Sequence, residues 1–553
     1  MWSRWNAEAS PRGWSPTRLC CVDGVIDIDN RRRRRTRVRA VCLAVACAVS
    51  VAALPAQDTQ RAVETGLLPA IVLSGHPLPT AALAARMSRY HVPAVSIALI
   101  DGNRIAWAAG YGTTTAGGLQ RVSTRTLFQA ASVSKLVTAV GVLKLVEDGK
   151  LQLDASVTAA LRSWTLPVDS AAARRPVTLR ELLSHRAGAN VEGFAGYAQG
   201  GALPSLRQIL NGASPANSSP IRITQLPGSG TRYSGGGYEI IQQLTEDATG
   251  ATFADAMHSA VLHPVEMNNS TFTMPLSARA IASAAHGHGF DGTPVAGGWN
   301  NYPELAAAGL WSTPSDLARL GISLSQAYAG QRNRVLEPPT ARLMLTRTDD
   351  QMGLGPGVHG EGKQLFFDHA GWTRGFRTYI AIYPLLGQGI VVMTNGDGGN
   401  DLINEIVRSA ARAYGWPDFK PESRAAAPVG AAMLDQRAGV YHVKDYDLDV
   451  TVRHEGDHLT VSTPRGSYYT FYPASPTEFF AIEDGSSLSF GGRDTLRVWG
   501  MTAERVRRDA PASPPVAAPQ EASRSQHSET AGNFVIDNDS ANVPSTERNG
   551  AHG

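Results

Sequence analysis

The stretch Ala131-Ser132-Val133-Ser134-Lys135 opens an apolar run that continues to Glu147. In a helix, residues three apart share a face, so the Lys135 amine would lie within reach of the Ser132 hydroxyl. A serine hydroxyl is a weak nucleophile, and a neighbouring amine able to give up its proton can activate it. The stretch therefore predicts an acylating serine enzyme built around a helix from Ser132 to Glu147.

This helix is apolar on almost every side and stops at Gly149, which is typical of a helix buried at the centre of a domain. Lysine is scarce, with six residues against 45 arginines, so Lys135 is not one of many interchangeable surface charges. A simpler alternative for Ser132 is an N-cap without a chemical role, because serine is common at helix starts.

The first 56 residues predict a leader and a secretory signal peptide. A basic run, Arg31 to Arg39, precedes the small and apolar stretch Ala40 to Leu54. That stretch is shorter than the roughly 20 apolar residues of a membrane span. We therefore expect export to the periplasm or the extracellular space, without a stable membrane span after cleavage. A lipid anchor on Cys47 is disfavoured, because the preceding Ala44-Val45-Ala46 lacks the usual leucine.

Composition excludes several classes of function. All four cysteines lie within the first 56 residues, so the mature chain would have neither a disulfide nor a thiol nucleophile. The remainder carries 41 basic and 44 acidic residues, a balance that does not indicate a nucleic-acid partner. The sequence contains no Gly-x-Ser-x-Gly elbow and no His-Glu-x-x-His zinc helix, because its match to that spacing, His454 to His458, lies between two short strand-like runs. We expect no metal and no cofactor.

Hydrophobic periodicity predicts one sheet assembled from distant parts of the chain. Helices and loops dominate from about 154 to 345, between strand-like runs on either side. A helix is expected from Asp401 to Tyr414. The strand-like runs are Ala94 to Ile100, Ile105 to Tyr111, Phe376 to Tyr383 and Gly389 to Thr394.

The chain divides into five predicted segments. After the leader and signal peptide (1–56), a hydrolase domain covers 57–416, and a linker rich in proline and alanine covers 417–430. Short alternating runs predict a small antiparallel β domain over 431–508. Residues 509–553 have the composition of a disordered tail.

Five motifs occur in a characteristic order and spacing. The motifs are Leu127-Phe-Gln-Ala-Ala-Ser-Val-Ser-Lys135, Val177-Thr-Leu-Arg-Glu-Leu-Leu-Ser-His-Arg-Ala-Gly188, Tyr233-Ser-Gly-Gly-Gly-Tyr238, Gly309-Leu-Trp-Ser-Thr-Pro-Ser-Asp-Leu-Ala318 and His369-Ala370-Gly371. Together they strongly resemble the serine β-lactamase and penicillin-binding-protein-like family, in its class C-like branch of esterases, D-aminopeptidases and related hydrolases. The resemblance covers roughly residues 75 to 415.

The resemblance implies an α/β (α+β) sandwich, with an antiparallel sheet flanked by helices, a helical insertion and a small lipocalin-like module after it. It implies that Ser132 is the nucleophile, that Lys135 helps to deprotonate it and that Tyr233 shuttles the proton. A phenol normally loses its proton at about pH 10, and a nearby cation such as Lys135 stabilises the phenolate. The backbone N–H groups of Ser132 and Trp372 would form the oxyanion hole.

Two motifs depart from the family pattern. Gly235 stands where the family usually has the asparagine of Tyr-x-Asn. His369-Ala370-Gly371 replaces Lys-Thr-Gly, so a titratable imidazole stands where a fixed cation would grip a carboxylate. Both changes favour a peptidase or an esterase over an efficient β-lactamase.

Each candidate residue also has a purely structural alternative. Tyr233 could be a core aromatic with a solvated hydroxyl, and His369 could be a strand histidine satisfied by backbone groups. His185 belongs to a motif that we interpret as structural.

The sequence thus predicts an exported serine hydrolase that forms an acyl-enzyme on Ser132. Its substrates would be small amides, esters or peptides. Two alternatives stay open: a true β-lactamase, and a catalytically inactive protein that binds penicillin or cell-wall peptides.

Overall fold

A computed structural model describes residues 56–333, 335–348, 351–464, 466 and 468–506. The predicted signal peptide up to residue 55 and the predicted tail, 509–553, lie outside the described residues.

The helices and strands follow the predicted order of sheet, helical region, sheet and β domain. Helices α1 to α14 span Ala56–Thr65, Leu83–Arg89, Val133–Glu147, Val157–Ala160, Leu179–Leu183, Leu206–Asn211, Gly235–Thr249, Phe253–Met257, Ala278–Ile281, Leu305–Ala308, Pro314–Tyr328, Pro338–Met344, Gly399–Tyr414 and Ala431–Arg437. Strands β1 to β18 span Ile71–Leu73, Ala94–Asp101, Arg104–Gly112, Phe128–Gln129, Trp311–Ser312, Gly357–His359, Phe366–Thr373, Phe376–Tyr383, Gln388–Thr394, Glu422–Arg424, Gly439–Val443, Leu448–Glu455, His458–Ser462, Tyr468–Pro473, Glu478–Ala481, Ser487–Gly491, Thr495–Val498 and Met501–Arg505.

The main sheet has six strands in the order β3-β2-β9-β8-β7-β6, and every neighbouring pair is antiparallel. The N-terminal hairpin β2–β3 therefore pairs with strands almost three hundred residues later, with Ala98 opposite both Ala108 and Val391. This arrangement confirms the predicted sheet built from distant parts of the chain.

Apolar layers cover both faces of this sheet, because side chains alternate along each strand. In β2, Ala98 and Ile100 belong to the core shared with α3, α7 and α11. Ile97 and Leu99 belong to the core on the opposite face, shared with α1, α2 and α13. The sheet is thus flanked by helices, as predicted.

Helix α3 is buried from Val133 to Leu143. Its few polar residues have specific partners: the Thr138 hydroxyl donates to the Ala306 carbonyl at 3.0 Å, and the Ser134 hydroxyl accepts from the Leu310 N–H at 3.0 Å. The buried helix thus lies directly beside the segment that leads into β5.

Strands β11 to β18 form a closed antiparallel barrel with its own apolar core. The all-β C-terminal domain predicted from the alternating pattern is therefore present. Within the predicted linker, β10 pairs in parallel with β1, so part of that segment is attached to the preceding domain. Across the portion of the chain with described coordinates, no helix has the length and apolarity needed to cross a bilayer.

Candidate active site

Ser132 lies on a tight turn between β4 and α3. The preceding residue, Ala131, has a φ of 51°, a left-handed conformation that costs a non-glycine residue about 1 kcal/mol. The turn is held on both sides, because the Ala130 N–H donates to the Leu310 carbonyl at 2.8 Å and Thr378 donates to the Gln129 carbonyl at 3.1 Å. Ser132 occupies the N-cap position, but its side chain makes no capping hydrogen bond.

The Ser132 hydroxyl is hydrogen-bonded to Lys135 instead. Lys135 Nζ lies 2.9 Å from Ser132 Oγ and 2.9 Å from the carbonyl oxygen of Ala307. Only 2% of Lys135 is exposed, so its amine is fixed in direction and shielded from water. The geometry places an amine where it can accept the serine proton.

Tyr233 packs against the same amine. Lys135 Nζ lies 4.9 Å from the centre of the Tyr233 ring. The centres of the Tyr233 and His185 rings lie 4.3 Å apart. Tyr233 directly precedes Ser234, whose hydroxyl caps α7 by accepting from the Gly237 N–H at 2.9 Å. The cap fixes the point at which the tyrosine leaves the loop.

His185 holds both neighbours of Tyr233. Its carbonyl accepts from the Arg232 N–H at 2.7 Å, and its Nδ1 accepts from the Ser234 N–H at 3.1 Å. Burial, followed by the charge of Lys135, lowers the pKa of His185 well below its usual range. The imidazole is therefore neutral and carries its proton on Nε2. This supports the structural interpretation of its motif, with the specific task of placing Tyr233.

The third motif lies on β7, against the turn that carries Ser132. A Cβ on Gly371 would stand 2.3 Å from the Ala130 carbonyl oxygen and 3.1 Å from Ala131 Cβ. Glycine at this position is what allows the strand and the nucleophile turn to approach so closely.

The His369 side chain is buried and neutral. Burial, followed by the charge of Lys135, lowers the pKa of His369 to about 4. Its Nδ1 donates to the Ala370 carbonyl at 2.6 Å, so Nε2 is left as a hydrogen-bond acceptor. The sequence predicted a titratable imidazole here. In the fold this imidazole carries no charge at neutral pH.

Backbone groups of β7 face an open edge beyond Asp368, the last residue that β6 pairs with. The Ala370 carbonyl accepts from the His369 side chain. The oxyanion role that the resemblance implies for the Trp372 N–H stays a prediction.

The Trp372 indole borders the site and is 41% exposed. It lies on the guanidinium of Arg377, 4.5 Å from the ring centre. Arg377 is itself buried, paired with Asp397 at 2.9 Å and bonded to the Thr373 carbonyl at 2.9 Å. Sequence reasoning missed Arg377. The signal in the sequence was a single charged residue in the otherwise uncharged run from Phe376 to Tyr383.

Gly235 has no room for the asparagine that the family usually carries. A Cβ there would meet the Phe194 ring at 2.9 Å and the Glu192 carbonyl oxygen at 3.0 Å. An aromatic ring thus fills part of the space where the amide would lie.

Two buried acids near Lys135 were also missed. Glu239 and Glu304 are both fully buried, and burial raises the pKa of Glu304 to about 8. Glu239 lies among the apolar residues of Tyr238 to Ile241, and Glu304 directly precedes the apolar and small residues Leu305 to Ala308. An acidic residue next to such neighbours was the only signal in the local sequence.

The sequence profile of a family described as Beta-lactamase matches residues 80–414, more than half of the chain. The chain belongs to the Beta-lactamase family. Its members include serine hydrolases, as the resemblance implied. The matched range contains Ser132, Lys135, Tyr233 and the motif from His369 to Trp372.

Several known proteins are similar to this Beta-lactamase family member in sequence or in fold. Penicillin-binding protein 4 of Amycolatopsis lactamdurans is 28% identical over 59% of this chain and 86% of its own length. The D-alanyl-D-alanine-carboxypeptidase/endopeptidase AmpH of Escherichia coli K12 is 25% identical over 56% of this chain and 84% of its own. An octameric penicillin-binding protein homologue from Pyrococcus abyssi has a similar fold, with a TM-score of 0.54 and 20% identity over 76% of this chain and 98% of its own.

Among the residues with described positions, no cluster of three or more His, Cys, Asp or Glu side chains could hold a metal ion.

Proposed function

We propose that this protein is a serine hydrolase that forms an acyl-enzyme on Ser132 and hydrolyses amide or ester bonds. The observation that carries the proposal is the 2.9 Å hydrogen bond between Lys135 Nζ and Ser132 Oγ. The ring of Tyr233 lies against the same amine and adds a second group able to move a proton.

In the first step, Ser132 Oγ attacks the substrate carbonyl carbon while its proton passes to the Lys135–Tyr233 pair. The Ser132 and Trp372 N–H groups would donate hydrogen bonds to the carbonyl oxygen as negative charge develops on it. The bond to the leaving amine or alcohol then breaks, and the same pair returns the proton to that group.

In the second step, water takes the place of the serine as nucleophile. Its proton passes to the same pair, and its oxygen attacks the acyl carbon. Cleavage of the ester bond to Ser132 releases a carboxylic acid and restores the hydroxyl.

The neutral imidazole of His369 determines which substrate groups can bind beside it. At this position a substrate carboxylate would find no fixed cation, whereas an N–H or O–H group could donate to Nε2. Phe194 makes the wall beside Gly235 apolar. These features favour neutral amides and esters, and peptides held by groups other than a terminal carboxylate, over β-lactams.

We further propose export through the signal peptide of residues 1–56, because a basic run precedes a short apolar stretch. N-terminal sequencing of the protein recovered from a bacterial periplasm would give a start near residue 57. Full-length protein confined to the cytoplasm would contradict export.

Parallel assays of purified protein test the proposed reaction. We expect turnover of p-nitrophenyl esters or of D-alanine amides and peptides, abolished by Ser132→Ala. Fast, Ser132-dependent turnover of nitrocefin would instead favour a true β-lactamase. Stable penicillin binding without turnover of any substrate would favour the inactive binding protein. This outcome is included because the Amycolatopsis lactamdurans relative is named as a penicillin-binding protein.

A further inference from the structure

The short helix α10 lies between the two helices that carry the site. Two of its successive residues, Ala306 and Ala307, are each bonded at both the carbonyl and the N–H. The Ala307 carbonyl accepts from Lys135 Nζ at 2.9 Å, and the Ala306 carbonyl accepts from Thr138 at 3.0 Å, both in α3. The two N–H groups donate to α7, from Ala307 to Glu239 at 3.2 Å and from Ala306 to Gln242 at 3.0 Å.

These two N–H groups belong to the first turn of α10, where a helix has no internal acceptors for them. The residue at the N-cap, Glu304, makes no capping hydrogen bond. Glu239 and Gln242 therefore supply, from a neighbouring helix, the acceptors that a cap would normally provide. They act on adjacent peptides and lie one turn apart on α7.

The two acceptors differ in the residue that they hold. Gln242 accepts from the N–H of Ala306, whose carbonyl accepts from Thr138 and not from Lys135. Glu239 accepts from the N–H of Ala307, whose carbonyl directs the Lys135 amine. A fully buried carboxyl group costs several kcal/mol unless it is compensated, and the second oxygen of Glu239 has no hydrogen-bond partner among the described residues.

The groups around Glu239 explain how a carboxyl group persists there. Burial raises the pKa of Glu239 well above its usual range, and Glu304 raises it further. The Ala307 N–H and the charge of Lys135 act in the opposite direction. The carboxyl group is thus linked to the site through one residue, Ala307, and one amine.

We propose that Glu239 is a positioning residue for Lys135: by holding the N–H of Ala307, it fixes the residue whose carbonyl orients the Lys135 amine toward Ser132. This inference rests on the proposed function, because Lys135 must act on Ser132 for its orientation to matter. Glu239 contacts neither the substrate nor the reacting atoms.

Matched shortening of the two acceptors tests the proposal. Glu239→Asp and Gln242→Asn each remove one methylene and withdraw the acceptor from its peptide. We expect Glu239→Asp to lower the second-order rate constant of Ser132 labelling by a fluorophosphonate at least about tenfold. Gln242→Asn should stay within about threefold of the wild type at a similar loss of Tm, because the residue that Gln242 holds, Ala306, is not the one that bonds Lys135.

Glu239→Gln distinguishes positioning from a general loss of packing. Its amide oxygen can accept from Ala307, so labelling should return to within about threefold of the wild-type rate. A slow Glu239→Gln variant would overturn the proposal, even if Glu239→Asp failed to fold. Equal rates for Glu239→Asp and wild type, or equal losses in Glu239→Asp and Gln242→Asn, would also overturn it. Absence of labelling in the wild type would instead reject the proposed function.

Discussion

Three residues from separate parts of the chain, Lys135, Tyr233 and His369, meet around the amine that contacts the Ser132 hydroxyl. Lys135 is the only one close in sequence, and its 2.9 Å contact follows from the spacing of three residues in a helix. Tyr233 reaches the same amine from the start of α7, and the charge of that amine acts on His369 in β7. The reactivity of the serine therefore depends on long-range packing as well as on the local motif.

Replacing Tyr233 by Phe removes one hydroxyl and keeps the ring that packs on Lys135 and His185. We expect Ser132 acylation to slow at least about tenfold with an unchanged Tm, because a proton-transfer group is lost. Single-turnover kinetics and thermal unfolding provide the two readouts.

Tyr238→Phe is the matched control. Its ring also lies beside Lys135, at 5.8 Å, but its hydroxyl donates to the Leu183 carbonyl at 3.1 Å. It should lose stability and keep the acylation rate. An unchanged rate in Tyr233→Phe would remove Tyr233 from the mechanism.

His369 makes a prediction for stability against pH. Its pKa in the fold is about 4, below the ordinary value of 6.5, so the unfolded chain binds a proton that the folded chain does not. The free energy of unfolding should therefore fall as the pH decreases from 6.5 to 4, by on the order of 3 kcal/mol from this group. In His369→Gln, which cannot titrate, the decrease should be smaller.

Urea unfolding of both proteins at pH 7 and pH 4.5 measures this difference. Substitution of the exposed His76 by Gln is the control for a histidine-to-glutamine exchange elsewhere on the chain. Equal pH dependence in wild type and His369→Gln would show that His369 is not held neutral in the fold.

At the scale of elements, the close approach of β7 to the nucleophile turn sets the geometry of the site. The Gly371→Ala substitution tests it, since the added Cβ would lie 2.3 Å from the Ala130 carbonyl oxygen. The backbone would have to move, and a displacement of this size can cost about a hundredfold in rate. We expect Ser132 labelling to fall by that order, with about 1–3 kcal/mol lost in stability.

Gly430→Ala is a suitable control, because a Cβ there would meet nothing within 4 Å. Comparison of labelling rates and urea midpoints for the two variants separates local displacement from a general effect of alanine. Normal labelling of Gly371→Ala would mean that β7 does not fix the position of Ser132.

Elements whose local pattern agrees with their burial could be predicted from the sequence. The hairpin β2–β3 and strands β8 and β9 are apolar runs with turn residues between them, and β2, β8 and β9 are buried in the sheet. Helix α3 was recognisable because it is apolar all round. The family motifs also indicated which residues meet in the site.

Other features depend on contacts that no local pattern contains. The bond between Lys135 and Ala307 joins residues 172 positions apart, and α10 has only four residues of low complexity. The closure of the barrel requires pairing of its first and last strands, β11 and β18. The neutral state of His369 results from burial, which the motif itself does not encode.

At the scale of the whole molecule, buried polar contacts join the barrel to the hydrolase region. Tyr469 in β14 donates to Asp401 in α13 at 2.8 Å, and Arg89 in α2 pairs with Glu483 just after β15. Burial, followed by the charge of Asp484, raises the pKa of Asp401 to about 7. The junction therefore contains a carboxyl group that prefers to be protonated.

Asp401→Asn tests this junction. The folded chain binds a proton on Asp401 more tightly than the unfolded chain, so its contribution to stability should decrease as the pH rises from about 4 to about 7. The variant keeps an acceptor for Tyr469. Its free energy of unfolding minus that of the wild type should therefore be larger at pH 8 than at pH 5. Urea unfolding at the two pH values measures the gain, and the exposed Glu504→Gln serves as control. A gain independent of pH would contradict the raised pKa.

Intact-mass analysis after fluorophosphonate treatment, followed by peptide mapping, tests the central claim most directly. The account predicts one adduct per chain, located on Ser132, absent in Ser132→Ala and strongly slowed in Lys135→Ala. No adduct on the wild-type protein, or an adduct on a different side chain, would contradict it.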